Sequence, residues 1–489
     1  MALEKLIDSG KSDIDDILDK FSIYNSFHLK IAALIFLGFA TNTAYSSNFI
    51  FIAEEVNYTC VKYSPHNSTE GCIEWVYDDP SSFVAEFQLA GQEWKRTLVG
   101  TIHSLVYMIG LLIVGPLSDR FGRKNAFIIT GVFGGIFGLA RSFSHSYWSY
   151  IALEFLEAFI GDTCSPAYVL MMEIVSTKQR LKFILMCTIG YTFGGFALAI
   201  AAGSIPYWRT LLQAIYTPAL LFYFYKYFLD ESPRWLLIQG RKEDAVKILE
   251  RAAKENRVKL DKNINEKLSC DTEESGDFLK IIKITFKSKT LCVRFFVCLI
   301  WWTASTFVHY GLTINSVSLQ GNKYVNFALI SVFDLPGLFV ITLILIYCKR
   351  KVPLIFCFFA AATLCFTQPF LPKGLPWLSI TVFMAGKLMS SFYFNITYLY
   401  TSELFPTYTR NSIQALCSSL GRIGSIVSPQ TPLLIQYWSG LPSLVFGLVS
   451  LIGGIVTFLV PDISSDSLPD TASEAEQIGK SKNNCKLYC

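Results

Sequence analysis

Ionisable side chains lie inside several long apolar stretches of this 489-residue chain. Arg422 is embedded in 420–429, Asp334 and Lys387 lie in two other stretches, and a further stretch holds three acids, Glu154, Glu157 and Asp162. An ionised side chain at the centre of a bilayer costs roughly 2.5–3.5 kcal/mol on insertion scales, so such residues are functional candidates. Because a guanidinium does not lose its proton, we expect Arg422 either to bind a substrate carboxylate or to pair with an acid such as Asp334. The three acids either offset the buried cations or receive a cationic group.

The composition indicates a membrane protein. Hydrophobic residues make up 52% of the chain, aromatic residues 15% and charged residues 16%, whereas soluble domains average about 25% charged residues. The net charge of +4 is small and no Lys/Arg block alternates with aromatic residues, so we expect no nucleic-acid partner. The 13 cysteines form no C-x-x-C pair, and no His/Cys cluster has the spacing of metal ligands. We therefore expect neither an enzyme nor a bound cofactor or metal.

Twelve apolar stretches are long enough to cross a bilayer, which takes about 20 helical residues. The predicted spans are 29–52, 98–116, 125–143, 147–173, 183–205, 208–229, 291–314, 325–347, 353–371, 376–401, 412–436 and 442–460. They predict an all-α membrane protein with two six-helix halves, 29–229 and 291–460. The remaining segments are an N-terminal segment 1–28 without a cleavable signal, a loop 230–290 with helical character and a polar tail 461–489.

Positive charges in the short loops predict the orientation of the chain. The loops after the second, fourth and eighth spans carry three Lys/Arg each. The turns after the third, fifth, seventh and ninth carry one each, counting Arg141 and Arg209 at the ends of the adjoining spans and Lys323 and Lys373 in the loops themselves. Because cytoplasmic loops are enriched in Lys/Arg, both termini are predicted to be cytoplasmic and the loop 53–97 extracellular. That loop contains glycosylation sequons at Asn57 and Asn67. It also contains Cys60 and Cys72, which an oxidising exterior can join.

A repeated pattern closes the fourth and tenth spans. Glu173 ends the fourth and is followed seven residues later by Arg180, and Glu403 and Arg410 repeat this spacing 230 residues further along. The matched phase predicts two parallel halves with a binding site near the middle of the membrane between them. The alternative is that these acidic and basic side chains only extend to the membrane surface to stay hydrated.

The segment 115–124, with the sequence GPLSDRFGRK, forms a predicted charged turn between the second and third spans. It resembles the loop signature of the major facilitator superfamily. The block DESPRWL at 230–236 and the pattern YTSELFPT at 400–407 with Arg410 and Asn411 are similar to the organic cation/carnitine/organic anion transporter family within that superfamily. The resemblance covers nearly the whole chain, although sugar porters share the ESPR block.

The resemblance implies a cytoplasmic gate and a substrate site. The gate residues hold the two halves together while the site faces outward, and they are Asp119, Arg120, Arg123, Glu173, Arg180, Glu231, Arg234, Glu403 and Arg410. The counterpart of GPLSDRFGRK at 347–351 keeps the cations but lacks the acid and the glycines, so we expect Asp119 to act as the latch alone. Residues implied to contact substrate are Trp302, Tyr310, Asp334, Lys387, Phe394, Tyr398 and Arg422. We expect His309 to be a hydrogen-bonded span residue rather than a proton relay.

The residue type at position 422 is the basis for the predicted charge of the substrate. In the family, cation carriers have an acid at this position, whereas carnitine and organic anion carriers have arginine. We therefore expect a polyspecific plasma-membrane transporter, monomeric in the bilayer, that favours zwitterions or organic anions. The alternatives are an organic cation transporter, a carrier of sugars or other neutral solutes, and a non-transporting sensor on the same fold.

Overall fold

The computed structural model describes residues 13–21, 25–63, 72–176, 179–258, 288–372, 374–405 and 407–462, and these are mostly helical. The chain divides into two compact units. Unit 1 consists of Met1–Asn48 and Val106–Glu274, and unit 2 of Phe49–Leu105 and Ser275–Cys489. A single helix, α5 (Glu93–Phe121), supplies residues to both.

Unit 1 is helical throughout its described part. Its helices are α1 (Asp13–Leu18), α2 (Ser26–Ser47), the second half of α5, α6 (Arg123–Arg141), α7 (Tyr147–Ile160), α8 (Cys164–Ile174), α9 (Arg180–Ser204), α10 (Trp208–Tyr216), a 3₁₀ segment (Thr217–Phe224), α11 (Tyr225–Phe228), α12 (Pro233–Ile238) and α13 (Lys242–Glu255). The last two lie in the predicted loop 230–290, so its described part is helical as expected.

Unit 2 adds a small β-hairpin to its helices. Its elements are α3 (Phe49–Ile52), β1 (Tyr58–Tyr63), β2 (Cys72–Tyr77), α4 (Phe83–Glu86), the first half of α5, α14 (Lys289–Asn315), a 3₁₀ turn (Ser316–Ser318), α15 (Lys323–Tyr347), α16 (Lys351–Thr367), a 3₁₀ turn (Gln368–Phe370), α17 (Pro376–Glu403), α18 (Thr407–Gly421), α19 (Ile423–Val427), a 3₁₀ segment (Ser428–Gln436) and α20 (Leu441–Thr457).

The predicted spans coincide with these helices to within a few residues. Among the described residues, six continuous helical segments are long and apolar enough to cross a membrane by length and composition. Three other predicted spans are interrupted. The fourth breaks between α7 and α8, the sixth becomes 3₁₀ from Thr217, and the eleventh breaks at Arg422. Pro218 and Asp162 account for two of these breaks, because proline removes a backbone donor and an aspartate side chain caps the helix that follows it.

The expectation of a turn at 115–124 is wrong in its extent. Helix α5 continues through Pro116 to Phe121, α6 begins at Arg123, and only Gly122 lies outside both helices. Gly122 has φ +96°, a left-handed conformation that glycine adopts without strain. A Cβ at this position would also lie 2.2 Å from Glu231 Oε2. The charged residues of the motif therefore project from helix ends that one glycine separates.

The hairpin in the loop 53–97 was not predicted. Strands β1 and β2 are antiparallel, with Tyr58 opposite Tyr77 and Cys60 opposite Trp75. A disulfide bond joins Cys60 and Cys72, whose Cα atoms are 5.9 Å apart. The cysteines were recognised in the sequence, but the six-residue strands that they tie together were not.

Close glycine contacts determine how the third and fourth spans pack in unit 1. A Cβ on Gly134 would lie 2.8 Å from the Cα of Gly161, and one on Gly138 would lie 2.1 Å from the ring of Tyr216. Small residues let membrane helices approach closely. Because Gly134 and Gly161 have no side chains, α6 packs closely against the break between α7 and α8, where the buried acids of the fourth span lie.

Candidate functional site

Helices α14 and α17 bring a lysine and a histidine into direct contact in unit 2. The Lys387 ammonium Nζ lies 2.9 Å from His309 Nε2 and 3.0 Å from His309 Nδ1, and it donates a hydrogen bond to the His309 carbonyl oxygen at 3.1 Å. Lys387 is 2% exposed. Among the described residues no carboxylate forms an ion pair with this ammonium, so its immediate contacts are neutral or dipolar.

A serine connects this pair to the predicted acid of the eighth span. Ser391 Oγ donates a hydrogen bond to Asp334 Oδ1 at 2.6 Å and lies 3.4 Å from His309 Nδ1. Ser391 is one helical turn after Lys387 on α17, so both side chains reach the same side of that helix. We call His309, Asp334, Lys387 and Ser391 the polar cluster. It contains two of the predicted substrate residues and two that the sequence reasoning did not assign to the site.

The four predicted aromatic residues lie beside the polar cluster. The Phe394 ring stacks on His309 with centroids 5.4 Å apart, and Trp302 meets Phe394 edge-on at 6.0 Å and Tyr398 at 5.5 Å. Trp302 is held in place by a hydrogen bond from its Nε1 to Thr401 Oγ1 at 3.1 Å. Tyr310 packs edge-on against His309 at 5.5 Å. The sequence therefore identified a group of rings that the fold brings together.

Arg422 lies at the break between α18 and α19. Its backbone N–H donates to the Ser419 carbonyl at 3.1 Å and its carbonyl accepts from Ser425 Oγ at 2.8 Å. The preceding residue, Gly421, packs against Trp302 of α14, and its carbonyl oxygen accepts a 2.6 Å hydrogen bond from Thr306. The break thus places the backbone of Arg422 next to the helix that carries Trp302 and His309, and the side chain is half-buried.

Three of the predicted gate residues of unit 1 form one ion-pair cluster. Arg123 donates from Nη1 to Asp119 Oδ1 at 2.6 Å and from Nη2 to Glu173 Oε1 at 3.0 Å. Arg234 Nε donates to the Glu173 carbonyl oxygen at 3.1 Å, and Trp235 Nε1 donates to the Asp119 carbonyl oxygen at 2.8 Å. Backbone carbonyls and carboxylates together therefore tie the ends of α5, α6, α8 and α12 to one another.

Glu231 has a different role from the other predicted gate acids. Its Oε1 accepts hydrogen bonds from the backbone N–H groups of Lys124 and Ser232, each at 3.0 Å. Burial raises the pKa of Glu231 above its ordinary value, and these backbone donors oppose the rise only in part. Glu231 therefore caps the start of α6 rather than pairing with an arginine. Arg120 lies over the Phe121 ring at 5.8 Å.

Unit 2 contains a matching ion pair that the sequence reasoning missed. Arg350 donates from Nε and Nη2 to Glu403 Oε1, each at 3.3 Å, and from Nη1 to the Leu345 carbonyl at 2.9 Å. Arg350 precedes α16 as Arg123 begins α6, so each repeated glutamate pairs with the arginine at the start of the span before its own. The repeat of Glu173 and Glu403 could have indicated this partner. Arg180 is half-buried at the start of α9, and the side chain of Arg410 is outside the described residues.

Two of the three acids in the fourth span have structural partners within unit 1. Glu154 forms a buried ion pair with Arg141, which also donates to the Tyr216 hydroxyl. Asp162 Oδ1 accepts the backbone N–H groups of Cys164 and Ser165 at 3.1 and 3.3 Å, and so caps α8. Arg141 was counted as a loop cation in the sequence, yet it is 0% exposed. Glu154 therefore offsets Arg141 within unit 1.

The predicted glycosylation sites are only partly described. Asn57 immediately precedes β1, and its carbonyl accepts the Asp78 N–H at 3.0 Å. Asn67 lies outside the described residues.

Comparison with known proteins identifies the family. A family model described as sugar (and other) transporter matches residues 31–471. Solute carrier family 22 member 1 of Bos taurus is 30% identical over 484 residues, which are 89% of this chain and 84% of that protein. The organic cation transporter protein of Drosophila melanogaster is 31% identical over 440 residues, 85% of this chain and 78% of that protein.

Solved structures share the fold. The inward-open conformation of the xylose transporter XylE from E. coli has a TM-score of 0.63 at 16% identity, covering 92% of this chain and all of that one. A D-xylose-proton symporter has a TM-score of 0.65 at 14% identity, covering 91% of this chain and all of that one.

These findings support the predicted class. The fold is the major facilitator fold with twelve membrane-spanning helices, and the protein is a multi-pass membrane transporter rather than an enzyme. The chain belongs to the solute carrier family 22 transporters of the major facilitator superfamily.

Proposed function

We propose that this protein carries small organic ions across the plasma membrane by alternating access and favours zwitterions and organic anions over simple cations. The observation that carries the proposal is the buried ammonium of Lys387, whose contacts are the imidazole and carbonyl of His309. A buried charge whose direct contacts are uncharged is costly. A carboxylate or sulfonate that pairs with this ammonium recovers part of that cost, and this favours anionic groups.

The aromatic residues supply the remaining contacts for a zwitterion. Trp302, Phe394 and Tyr398 present ring faces and edges on one side of α14 and α17. Such rings attract a quaternary ammonium by cation–π interaction, worth about 0.5–2 kcal/mol. We propose that the anionic end of a carnitine-like substrate meets Lys387 and Arg422 while its cationic end meets these rings and Asp334.

An organic cation transporter is the second candidate. The relative from Drosophila carries that name, and Asp334 with the aromatic residues offers a cation the contacts that it needs. Because the cation Lys387 lies in the same polar cluster as Asp334, a lone cation meets repulsion there that an anion does not.

The paired arginines and glutamates are proposed to work as the gate. Single exposed ion pairs contribute only about 0–1 kcal/mol each, so the pairs of Arg123 and Arg350 together stabilise one conformation by a few kcal/mol at most. Substrate binding can overcome a difference of that size. We place both termini in the cytoplasm, in accord with the Lys/Arg content of the short loops.

An uptake panel tests the proposal. Proteoliposomes containing the wild type, Lys387→Ala, Arg422→Ala or Asp119→Asn are offered carnitine, tetraethylammonium and benzenesulfonate. We expect the wild type to take up carnitine and benzenesulfonate faster than tetraethylammonium. Lys387→Ala and Arg422→Ala should lower anion uptake at least tenfold and cation uptake less, whereas Asp119→Asn should lower the turnover of all substrates. Transport of tetraethylammonium alone would refute the preference for anions.

A further inference from the structure

The polar cluster contains one acid and two groups that can hold a positive charge. Asp334 is linked to His309 through Ser391, and Lys387 Nζ touches both ring nitrogens of His309. A neutral imidazole accepts a hydrogen bond at whichever nitrogen lacks a proton. Because Lys387 Nζ is about equally close to both ring nitrogens, it lies over the face of the ring and not along one lone pair. The negative face of a neutral imidazole accommodates this ammonium in either tautomer of His309.

Protonation of His309 is incompatible with this contact. An imidazolium has no lone pair to accept from Lys387, and two cations about 3 Å apart repel strongly in a medium of low dielectric constant. The imidazole can hold a proton only after the ammonium moves away. Histidine is the side chain whose ordinary pKa, about 6.5, makes such a proton available near neutral pH.

Ser391 provides a partner for the protonated state. When His309 is charged, Nδ1–H can donate to Ser391 Oγ, which already donates to the Asp334 carboxylate at 2.6 Å. Asp334 thus compensates a charge on either Lys387 or His309. Of the other titratable side chains on the surrounding elements, Tyr310 of α14 is in ring contact with His309, and Arg422 lies between α18 and α19. The same elements also carry Arg294 and Cys298 on α14, Lys323 and Tyr324 on α15, and Tyr393, Tyr398, Tyr400 and Glu403 on α17, while α20 and the 3₁₀ segment Ser428–Gln436 carry no charged residue.

We propose that His309 takes up one proton when an organic anion draws the Lys387 ammonium away from it, so that the anion and the proton cross the membrane together. This inference rests on the proposed function and adds the coupling ion. The anion pairs with Lys387, the proton from the external water binds the freed imidazole nitrogen, and both leave on the cytoplasmic side when Lys387 returns to His309. Since binding linkage is reciprocal, the proton must strengthen anion binding as much as the anion strengthens proton binding.

The coupling is measured in proteoliposomes that contain a pH-sensitive dye. The probe is benzenesulfonate, whose acid form is not populated near neutral pH, so passive permeation of the neutral acid does not imitate coupling. We expect the interior to acidify when the probe is added, and one fully coupled proton raises the apparent affinity up to about tenfold for each unit that the external pH falls. Uptake should also be insensitive to an imposed membrane potential, whereas accumulation of a lone anion changes about fifty-fold per 100 mV.

Two variants separate the proton from the anion. His309→Gln keeps an acceptor for Lys387 but cannot hold a proton, so uptake of the probe should fall, and the remaining uptake should occur without acidification and with a flat pH dependence. The matched control is His145→Gln, because His145 is exposed on the loop between α6 and α7, and this variant should behave as the wild type.

Each outcome bears on a different claim. Benzenesulfonate uptake by the wild type without acidification, or with full voltage sensitivity, would overturn the coupling while leaving the proposed function intact. Acidification that persists in His309→Gln would overturn the role of His309. If the wild type takes up none of carnitine, tetraethylammonium and benzenesulfonate, the proposed function fails and the coupling with it. The wild-type measurements decide the matter even if His309→Gln does not fold.

Discussion

Removing one partner of the buried pair between Arg141 and Glu154 should destabilise unit 1 far more than removing both. The two side chains are 0% and 1% exposed, so Glu154→Leu removes the carboxylate that pairs with a guanidinium out of contact with water. Truncating one member of a buried ion pair costs about 3–5 kcal/mol. Arg141→Met should cost a similar amount, because it leaves the Glu154 carboxylate buried without its arginine.

The double variant Arg141→Met/Glu154→Leu should recover most of the loss. Apolar replacement of both members of a buried pair is often neutral, and the Tyr216 hydroxyl, which loses its donor Arg141, keeps its hydrogen bond from Asn48 Nδ2 at 2.9 Å. The remaining cost is therefore about 1 kcal/mol. The ring contacts of Arg141 with Tyr150 and Tyr216, at 5.6 and 5.0 Å, are replaced by contacts with the methionine side chain.

The assay is the apparent melting temperature in detergent, followed by size-exclusion chromatography of the heated protein. At about 2–4 °C per kcal/mol for a domain of 150–250 residues, each single variant should melt about 6–20 °C lower and the double variant about 2–4 °C lower. Asp244→Asn, which breaks the exposed pair of Arg241 and Asp244, is the control and should not change the melting temperature measurably. If the double variant loses the sum of the two single losses, the argument from buried charge is wrong.

Four further predictions concern the matched ion pairs, Gly122 between α5 and α6, the buried carboxyl of Glu231 and the hairpin. Glu173→Gln and Glu403→Gln each break one of the matched pairs and should change the maximal uptake rate about two- to fivefold with little change in KM, as expected for about 0.5–1 kcal/mol per pair; equal uptake kinetics in all three proteins would contradict the gate. Gly122→Ala should reduce the amount of folded protein sharply, because φ is +96° and the added Cβ meets Glu231, whereas Gly115→Ala meets no atom within 4 Å and should be tolerated; a matched loss for both would exclude the steric reason. Glu231→Gln should melt at a higher temperature relative to the wild type as the pH rises above about 4.5. The reason is that the raised pKa of Glu231 makes its ionisation unfavourable in the folded state. A difference in melting temperature that does not vary with pH would refute the burial of this charge. Reduction or Cys60→Ser should make the segment 53–92 sensitive to protease, since closing a loop of about 15 residues is worth about 3 kcal/mol, and cleavage unchanged by reduction would show that the hairpin persists without the bond.

The positions of the spans could be predicted from the sequence because length and apolarity are local properties. The predicted start of α14 at 291 and of α15 at 325 differ from the observed Lys289 and Lys323 by two residues. The breaks inside spans could not be predicted in the same way, since Arg422 and Asp162 are read as charges and not as residues that end or cap a helix. Their backbone roles depend on which neighbouring helix lies opposite, which is a property of the packing.

The site residues also divide into those that could be predicted from residue type and those whose role depends on packing. Trp302, Phe394 and Tyr398 were identified by residue type and by resemblance, and α14 and α17 bring their rings together. Ser391 and Arg350 were not identified, because neither residue type is unusual at its position in the sequence. Ser391 contacts Asp334, which is 57 residues away in the sequence, and Arg350 contacts Glu403, which is 53 residues away, so both roles depend on the packing of distant helices.

The matched pairs also explain why the acid of GPLSDRFGRK has no equivalent in the second half. Arg123 divides its guanidinium between Glu173 and Asp119, while Arg350 divides its own between Glu403 and the backbone carbonyl of Leu345. A backbone carbonyl holds an arginine less strongly than a carboxylate does, because the carboxylate carries a full negative charge and the carbonyl oxygen only a partial one. The arginine of unit 1 is therefore the more firmly held of the two, although the Asp119 carboxylate is largely exposed and is weakened by salt. The asymmetry that the sequence shows as a missing acid is, in the structure, a difference in how strongly two equivalent arginines are bound.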